Sequence, residues 1–211
     1  VTWVDEGQYD LDSNDSVLPP SIMDDKSSNS LSIAVLTTQR SNISQVKTRG
    51  DTFCELDSHA DTCSFGSDAY IVQETDQTIS VTGFLDSLGT VKDVPIVTAA
   101  VAYDEPITLQ TFILFFHQSL YFEKMTKHLI CPTQLRSNQV IVNDVPLLHL
   151  PPHERTPLAH SIITESPHPE LHIPLSLYGT TSYFKVRKPT FHEINSEYDC
   201  THVHLTPEMP W

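Results

Sequence analysis

The sequence predicts an all-β fold with one short helix, and three observations carry that expectation. Thr78-Ile79-Ser80-Val81-Thr82 alternates polar and apolar residues, the two-residue period of a half-buried strand. Val91 to Tyr103 and Gln110 to Phe122 are runs rich in branched and aromatic residues. Turn-forming residues separate such runs at Gly83 to Gly89 and at Asp104-Glu105-Pro106.

Each segment can be justified in chain order. Residues 1–48 carry Asp5, Glu6, Asp10, Asp12, Asp15, Asp24 and Asp25, with Pro19-Pro20 among them. Such a stretch repels itself and buries too little apolar surface to offset its chain entropy, so an acidic disordered linker is expected, with Leu31 to Leu36 as a lone strand. Residues 49–150 are expected to hold the folded domain. Within it, Gly83 to Gly89 reads as a hairpin tip, with the chain returning along Val91 to Ile96. Alternation places Phe112, Leu114 and Phe116 on one face of a strand and Ile113 and Phe115 on the other. With both faces apolar, that strand is buried in a barrel or at a dimer interface. Pro132 to Asn138 is the one helical stretch, and Val140 to Val142 a short strand. Residues 151–211 are punctuated by Pro151, Pro152, Pro157, Pro167, Pro169, Pro174, Pro189, Pro207 and Pro210. A Pro/His-rich connector is expected there, with one strand pair, His172 to Leu177 and Ser182 to Val186, about the turn at Tyr178-Gly179.

Composition excludes several functions. The 211 residues carry a formal net charge of -15. Phosphate neutralisation needs a Lys/Arg surplus, so neither nucleic-acid binding nor docking on anionic lipid is expected. The longest greasy run, Thr111 to Phe116, is far shorter than the roughly 18 to 20 residues that cross a bilayer. No signal peptide opens the chain, and its ends read as those of a piece of something longer. Four cysteines, Cys54, Cys63, Cys131 and Cys200, are too few and too spread for a disulfide scaffold, and free thiols are expected.

The chemistry concentrates at Leu56-Asp57-Ser58-His59-Ala60-Asp61-Thr62. Hydrolysis by paired carboxylates needs two Asp side chains about 3 Å apart that share one proton. One Asp per chain suffices where two chains meet at a twofold axis. An apolar residue before the Asp buries the approach, a hydroxyl after it braces the loop, and a small residue admits substrate backbone. Asp86-Ser87-Leu88-Gly89 is the rival pair, but no strand precedes it and it lies between two glycines.

This segment resembles the Asp-Ser/Thr-Gly-Ala motif of retropepsin-like aspartic proteases, with His59 standing where the family carries Gly. The similarity continues in order and spacing through Val94 to Asp104, His117 to Phe122 and Leu129 to Arg136, as in the protease region of copia-type retrotransposon polyproteins. Leu129-Ile130-Cys131 takes the place of an apolar-apolar-Gly signature, without the Gly. Tyr183 to Thr190 resembles the connector that precedes the integrase. The resemblance implies a small closed barrel of retropepsin-like type, acting as a cytoplasmic homodimer within virus-like particles. Its substrate would be the polyprotein itself, and no cofactor is expected. Asp57 would be catalytic, with Ser58, His59 and Ala60 as its supporting loop. Asp61 would contact substrate backbone, and Gly83, Phe84 and Gly89 would belong to a flap that closes over it.

Two rival readings stand beside this one. The chain is then a catalytically decayed remnant or structural spacer of the polyprotein, or a metal-binding module at Cys54, His59 and Cys63. The second lacks the paired spacing of a zinc site. The C-terminal histidines, His149/His153, His168/His172 and His202/His204, are read as solvated loop residues. His117 is read as a structural residue within a β-rich core.

Overall fold

The computed structural model describes residues 52–83, 89–196 and 199–210. The acidic segment 1–48, its lone strand, and Phe84 and Asp86 at the hairpin tip lie outside the described residues.

The described chain is mostly strand. β1 (Thr52–Leu56) and β2 (Ser64–Phe65) flank the Asp57 loop. β3 (Tyr70–Thr82) and β4 (Thr90–Asp104) form a long antiparallel hairpin, and β5 (Thr111–Tyr121) returns beside β4. β6 (His128–Ile130) leads into α1 (Pro132–Arg136), and β7 (Ile141–Asn143) follows. β8 (Ser161–Thr164), β9 (Leu171–Pro174), β10 (Ser176–Tyr178) and β11 (Thr181–Val186) precede α2 (Phe191–Asn195) and β12 (Thr201–His204). The larger sheet runs β10-β11-β1-β6-β2-β5-β4-β3, with β12 also on β5, while β7-β8-β9 form a second sheet.

The sequence therefore marks the β character, the hairpin, the buried strand β5 and the helix at Pro132, but it expects one helix, whereas α2 is a second. Two larger expectations are corrected. Neither sheet among the described residues is closed into a barrel. β4 and β11 approach each other, but through a single bridge in which Ala102 and Arg187 exchange backbone N–H···O bonds of 2.9 and 3.0 Å. One bridge is not a ladder, and the ring of strands stays open there.

The second correction concerns residues 151–211, which are not merely a connector. β11 pairs antiparallel with β1 from Thr52↔Val186 to Glu55↔Tyr183, and β12 pairs parallel with β5 from Thr201↔Phe112 to His204↔Phe115. Leu171, Ile173, Phe184, Val186, Val203 and Leu205 join the same apolar core as Cys54, Phe65, Leu114 and Phe116. Prolines do not prevent this, because they sit where strands stop or between them: Pro174 ends β9 and Pro189 follows β11. Arg187 also pins this segment to β4. Its guanidinium donates to Asp104 at 2.7 and 3.0 Å and to Glu193 at 2.6 and 3.0 Å. Those bonds hold the Glu193 carboxyl down at about 2. Glu193 closes the capping box of α2 with Thr190.

One glycine is sterically required. A Cβ on Gly66, just after β2, would lie within 1.8 Å of the Met125 carbonyl oxygen. The obstacle is backbone, so it cannot swing aside. Gly66→Ala is expected to lower stability by roughly 1–3 kcal/mol through forced displacement of the segment before β6. Urea unfolding of the variant checks this, and an unchanged midpoint would contradict it.

Candidate functional site

Asp57 follows β1 and sits on a tight loop held at both ends. Its N–H donates to Ile130 O at 2.9 Å, which extends the parallel β1/β6 pairing by one bond. The Ala60 N–H donates back to Asp57 O at 3.3 Å, and Ala60 packs in the core. The side chain of Asp57 is only 11% exposed. Its Oδ1 accepts from the His59 backbone N–H at 2.9 Å. Its Oδ2 is buried and has no hydrogen-bond partner among the described residues. His59 Nδ1 lies 3.9 Å from Asp57 Oδ1, but the ring is 76% exposed. Ser58 Oγ meets that same Nδ1 at 3.4 Å on the exposed side of the loop. Asp61 is exposed as well.

Gly83 and Gly89 lie elsewhere, at the end of the β3/β4 hairpin, where the Gly83 N–H reaches Gly89 O at 3.5 Å. β4 pairs with β5 only from Ile96 onward, so Thr90 to Pro95 have β3 alone as neighbour and the hairpin continues past the sheet as a two-stranded arm. Val81 and Val94 pack with Leu120 at its base. No hydrogen bond among the described residues joins the arm to the Asp57 loop.

The metal reading of Cys54, His59 and Cys63 does not find its ligands together. Both thiols are fully buried, and burial pushes each well above the ordinary thiol value, whereas the imidazole faces outward. All four cysteines are free. Cys63 Sγ accepts from the Cys131 N–H at 3.3 Å, and Cys131 caps α1 by accepting from Gln134 N–H. An open cleft of about 380 Å³ between β7 and the Leu158–His160 turn contains none of the expected site residues. Its Asp144 is paired with Arg136 at 3.0 Å and its His160 with Ser182 at 2.8 Å.

Sequence reasoning missed the group that organises the loop. Gln134, on α1, is buried. Its Oε1 accepts from the Cys63 N–H at 2.8 Å and lies 3.1 Å from Thr62 Oγ1. Its Nε2 donates to His117 O at 3.2 Å and Gln118 O at 3.3 Å. Only one orientation of the amide satisfies all of these, since backbone N–H must meet oxygen and carbonyls must meet NH₂. Thr62 Oγ1 also donates to Gln118 O at 2.8 Å. The strand that follows the Asp57 loop, the helix and β5 are thereby joined at one point. A glutamine at the third position of a short helix carries no signal of this in the sequence.

His128, on β6 two residues before Ile130, was also missed. It is fully buried, tilted against Phe65 at 5.0 Å between ring centres, and accepts the Gly66 N–H at Nδ1 (3.3 Å). Burial pushes its imidazole down to about 4. The C-terminal histidines are likewise not all solvated loop groups. His202 and His204 lie on β12 against Phe115, and His168 Nε2 meets Asn138 O at 2.7 Å.

Comparison with protein-family models, curated proteins and solved structures finds no match to this chain.

Two stability predictions follow from these buried groups. Replacing Gln134 by Leu keeps the volume but leaves the buried Cys63 N–H without its partner and removes one bond each from the His117 and Gln118 carbonyls. The expected loss is roughly 2–4 kcal/mol, read from urea unfolding, and a loss within experimental error would contradict the role given to the amide. His128 is neutral in the fold and below its ordinary value of 6.5, so the unfolded chain binds the proton more readily. Its contribution is complete above about pH 6.5 and is lost as pH falls toward 4, a change on the order of 3 kcal/mol. Unfolding midpoints of wild type should drop across that window, and those of His128→Gln should drop less. Parallel pH curves would show that the ring does not carry the effect.

Proposed function

We propose that this chain is an aspartic endopeptidase that processes a copia-type retrotransposon polyprotein, acting as a homodimer in which two Asp57 carboxyl groups form the site. The observation that carries the reading is the state of Asp57 itself. One oxygen is fixed by a backbone N–H, and the other is buried with no hydrogen-bond partner among the described residues. A buried acceptor left without a partner costs roughly 1–3 kcal/mol. A second carboxyl group from a symmetry mate, sharing one proton with the first, supplies the missing bond and completes the pair that the chemistry requires.

The reaction then runs without a cofactor. The ionised carboxylate takes a proton from a water as its oxygen attacks the scissile carbonyl carbon. The protonated carboxyl gives its proton to the carbonyl oxygen. Collapse of the tetrahedral diol breaks the C–N bond, the leaving amine takes a proton, and the pair returns to its shared-proton state. In this reading Ser58, exposed beside Asp57, braces the loop against its mate. The β3/β4 arm supports a flap role for Gly83, Phe84 and Gly89, and exposed Asp61 supports a role in holding substrate backbone.

His59 in place of the family's Gly is compatible with this arrangement. The bond it makes to Asp57 comes from its backbone N–H, which glycine also has. The ring occupies the exposed side of the loop, where substrate backbone would approach.

Asp57→Asn should abolish cleavage of a polyprotein fragment while circular dichroism and sedimentation stay as in wild type. His59→Gly should cleave at an equal or higher rate, because the backbone bond survives and the Cβ is gone. Cleavage by Asp57→Asn at the wild-type rate would refute the assignment. Inactivity of both wild type and His59→Gly would favour the decayed remnant instead.

A further inference from the structure

A second cluster of reactive side chains lies on β5 and β12, apart from the Asp57 loop. It starts from an irregularity in the β4/β5 ladder. Val97 pairs with Ser119 and Ala99 with Phe116, so Thr98 alone stands opposite His117 and Gln118. Two residues against one is a β-bulge, a device that re-aims side chains locally. Gln118 takes a left-handed backbone, φ 52°, a strained conformation for a residue other than glycine.

The bulge turns His117 toward the end of β12. His117 Nε2 lies 2.8 Å from His204 Nδ1, with the two rings parallel within 3°. The Glu208 carboxylate completes a set whose ligand atoms all lie within 4.8 Å of one another. The other nitrogen of His117 meets Thr98 Oγ1 at 3.1 Å. With that nitrogen protonated and donating to the hydroxyl, the lone pair is on Nε2, facing the cluster. Backbone contacts hold the same geometry: Thr206 Oγ1 donates to His117 O at 3.0 Å, Gln118 Nε2 to Glu208 O at 2.9 Å, and Asn138 Nδ2 to His204 O at 2.9 Å. His204 is further stacked on Phe115, 4.9 Å between ring centres.

We propose that His117 Nε2, His204 Nδ1 and the Glu208 carboxylate bind one divalent transition-metal ion of the zinc class, with water in the remaining position. Two imidazoles and one carboxylate make a donor set of borderline softness that suits zinc, cobalt and nickel better than magnesium or calcium. Three protein ligands leave a position open in a tetrahedral sphere. The ion ties the segment after β12 to the bulge of β5, and its binding to the folded chain alone raises thermal stability by mass action.

The test uses the full chain without a polyhistidine tag. Co²⁺ titration is expected to give one equivalent per chain with the intense visible bands of a tetrahedral site, displaced by Zn²⁺ and unaffected by excess Mg²⁺. Zn²⁺ should raise the melting temperature. His204→Ala and Glu208→Gln change exposed side chains and should fold. Each should weaken Co²⁺ binding at least about tenfold, as loss of a ligand exceeds the usual cost of losing an outer partner. His192→Ala, on α2, should bind as wild type does. Absence of the cobalt bands, or equal affinity in wild type and His204→Ala, would mean that the two rings share only an N–H···N bond and would overturn the proposal.

Discussion

The buried amide of Gln134 is the constraint on which the rest of the candidate site depends. Four groups converge on it from two different parts of the chain: Thr62 and Cys63 after the Asp57 loop, and the carbonyls of His117 and Gln118 in the β5 bulge. The helix that carries it begins directly after β6, and β6 supplies the carbonyl that holds the Asp57 N–H. Asp57 is therefore fixed from both sides by one short unit, β6 and α1. In a buried setting such an amide is either fully satisfied and rigidifying or strongly destabilising. Here both N–H groups of the amide donate, and its oxygen accepts the Cys63 N–H.

The same unit links the two clusters described above. The carbonyls that Gln134 holds belong to the residues that form the bulge, and the bulge sets the direction of His117. A change at the His117–His204–Glu208 cluster is thus connected to the Asp57 loop through a chain of named hydrogen bonds. His128 adds a condition on that unit. It is buried without charge two residues before Ile130, so acid acts directly on the strand that positions the loop. Carboxylates in the Arg187 network lose their contribution only at lower pH, since Glu193 is held near 2.

Much of the strand pattern was legible because it is periodic and local. β5 reads as a strand buried on both faces, and Phe112, Leu114 and Phe116 do face one core while Ile113 and Phe115 face another. The hairpin before it is marked by Gly83 and Gly89, and the helix by Pro132. In the C-terminal third the strand Ser182 to Val186 is legible, but its place in the core is not: Phe184 and Val186 pair with Cys54 and Thr52 in β1, some 130 residues earlier. Pairing at that separation leaves no local signal. Closure failed for a similar reason, since whether β4 meets β11 through one bridge or a full ladder depends on sheet twist rather than on any residue pattern. At the site, Asp57 and its neighbours were readable as a motif. Gln134, Thr62 and His128 were not, because a buried polar residue is recognised only by its partners.

In the proposed reading the buried oxygen of Asp57 is half of a two-carboxylate arrangement, and neither nearby acid fills the other half: Asp61 is exposed and Glu55 is paired with Lys127. The direct measurement is a mixing experiment at constant total protein, in which wild-type chains are unfolded and refolded together with increasing proportions of Asp57→Asn. If the two chains of a dimer each supply one Asp57, mixed dimers are dead and activity follows the square of the wild-type fraction, falling to about a quarter in an equal mixture. Activity that falls in simple proportion, to about half in the equal mixture, would mean that each chain works alone and would contradict the shared carboxyl pair.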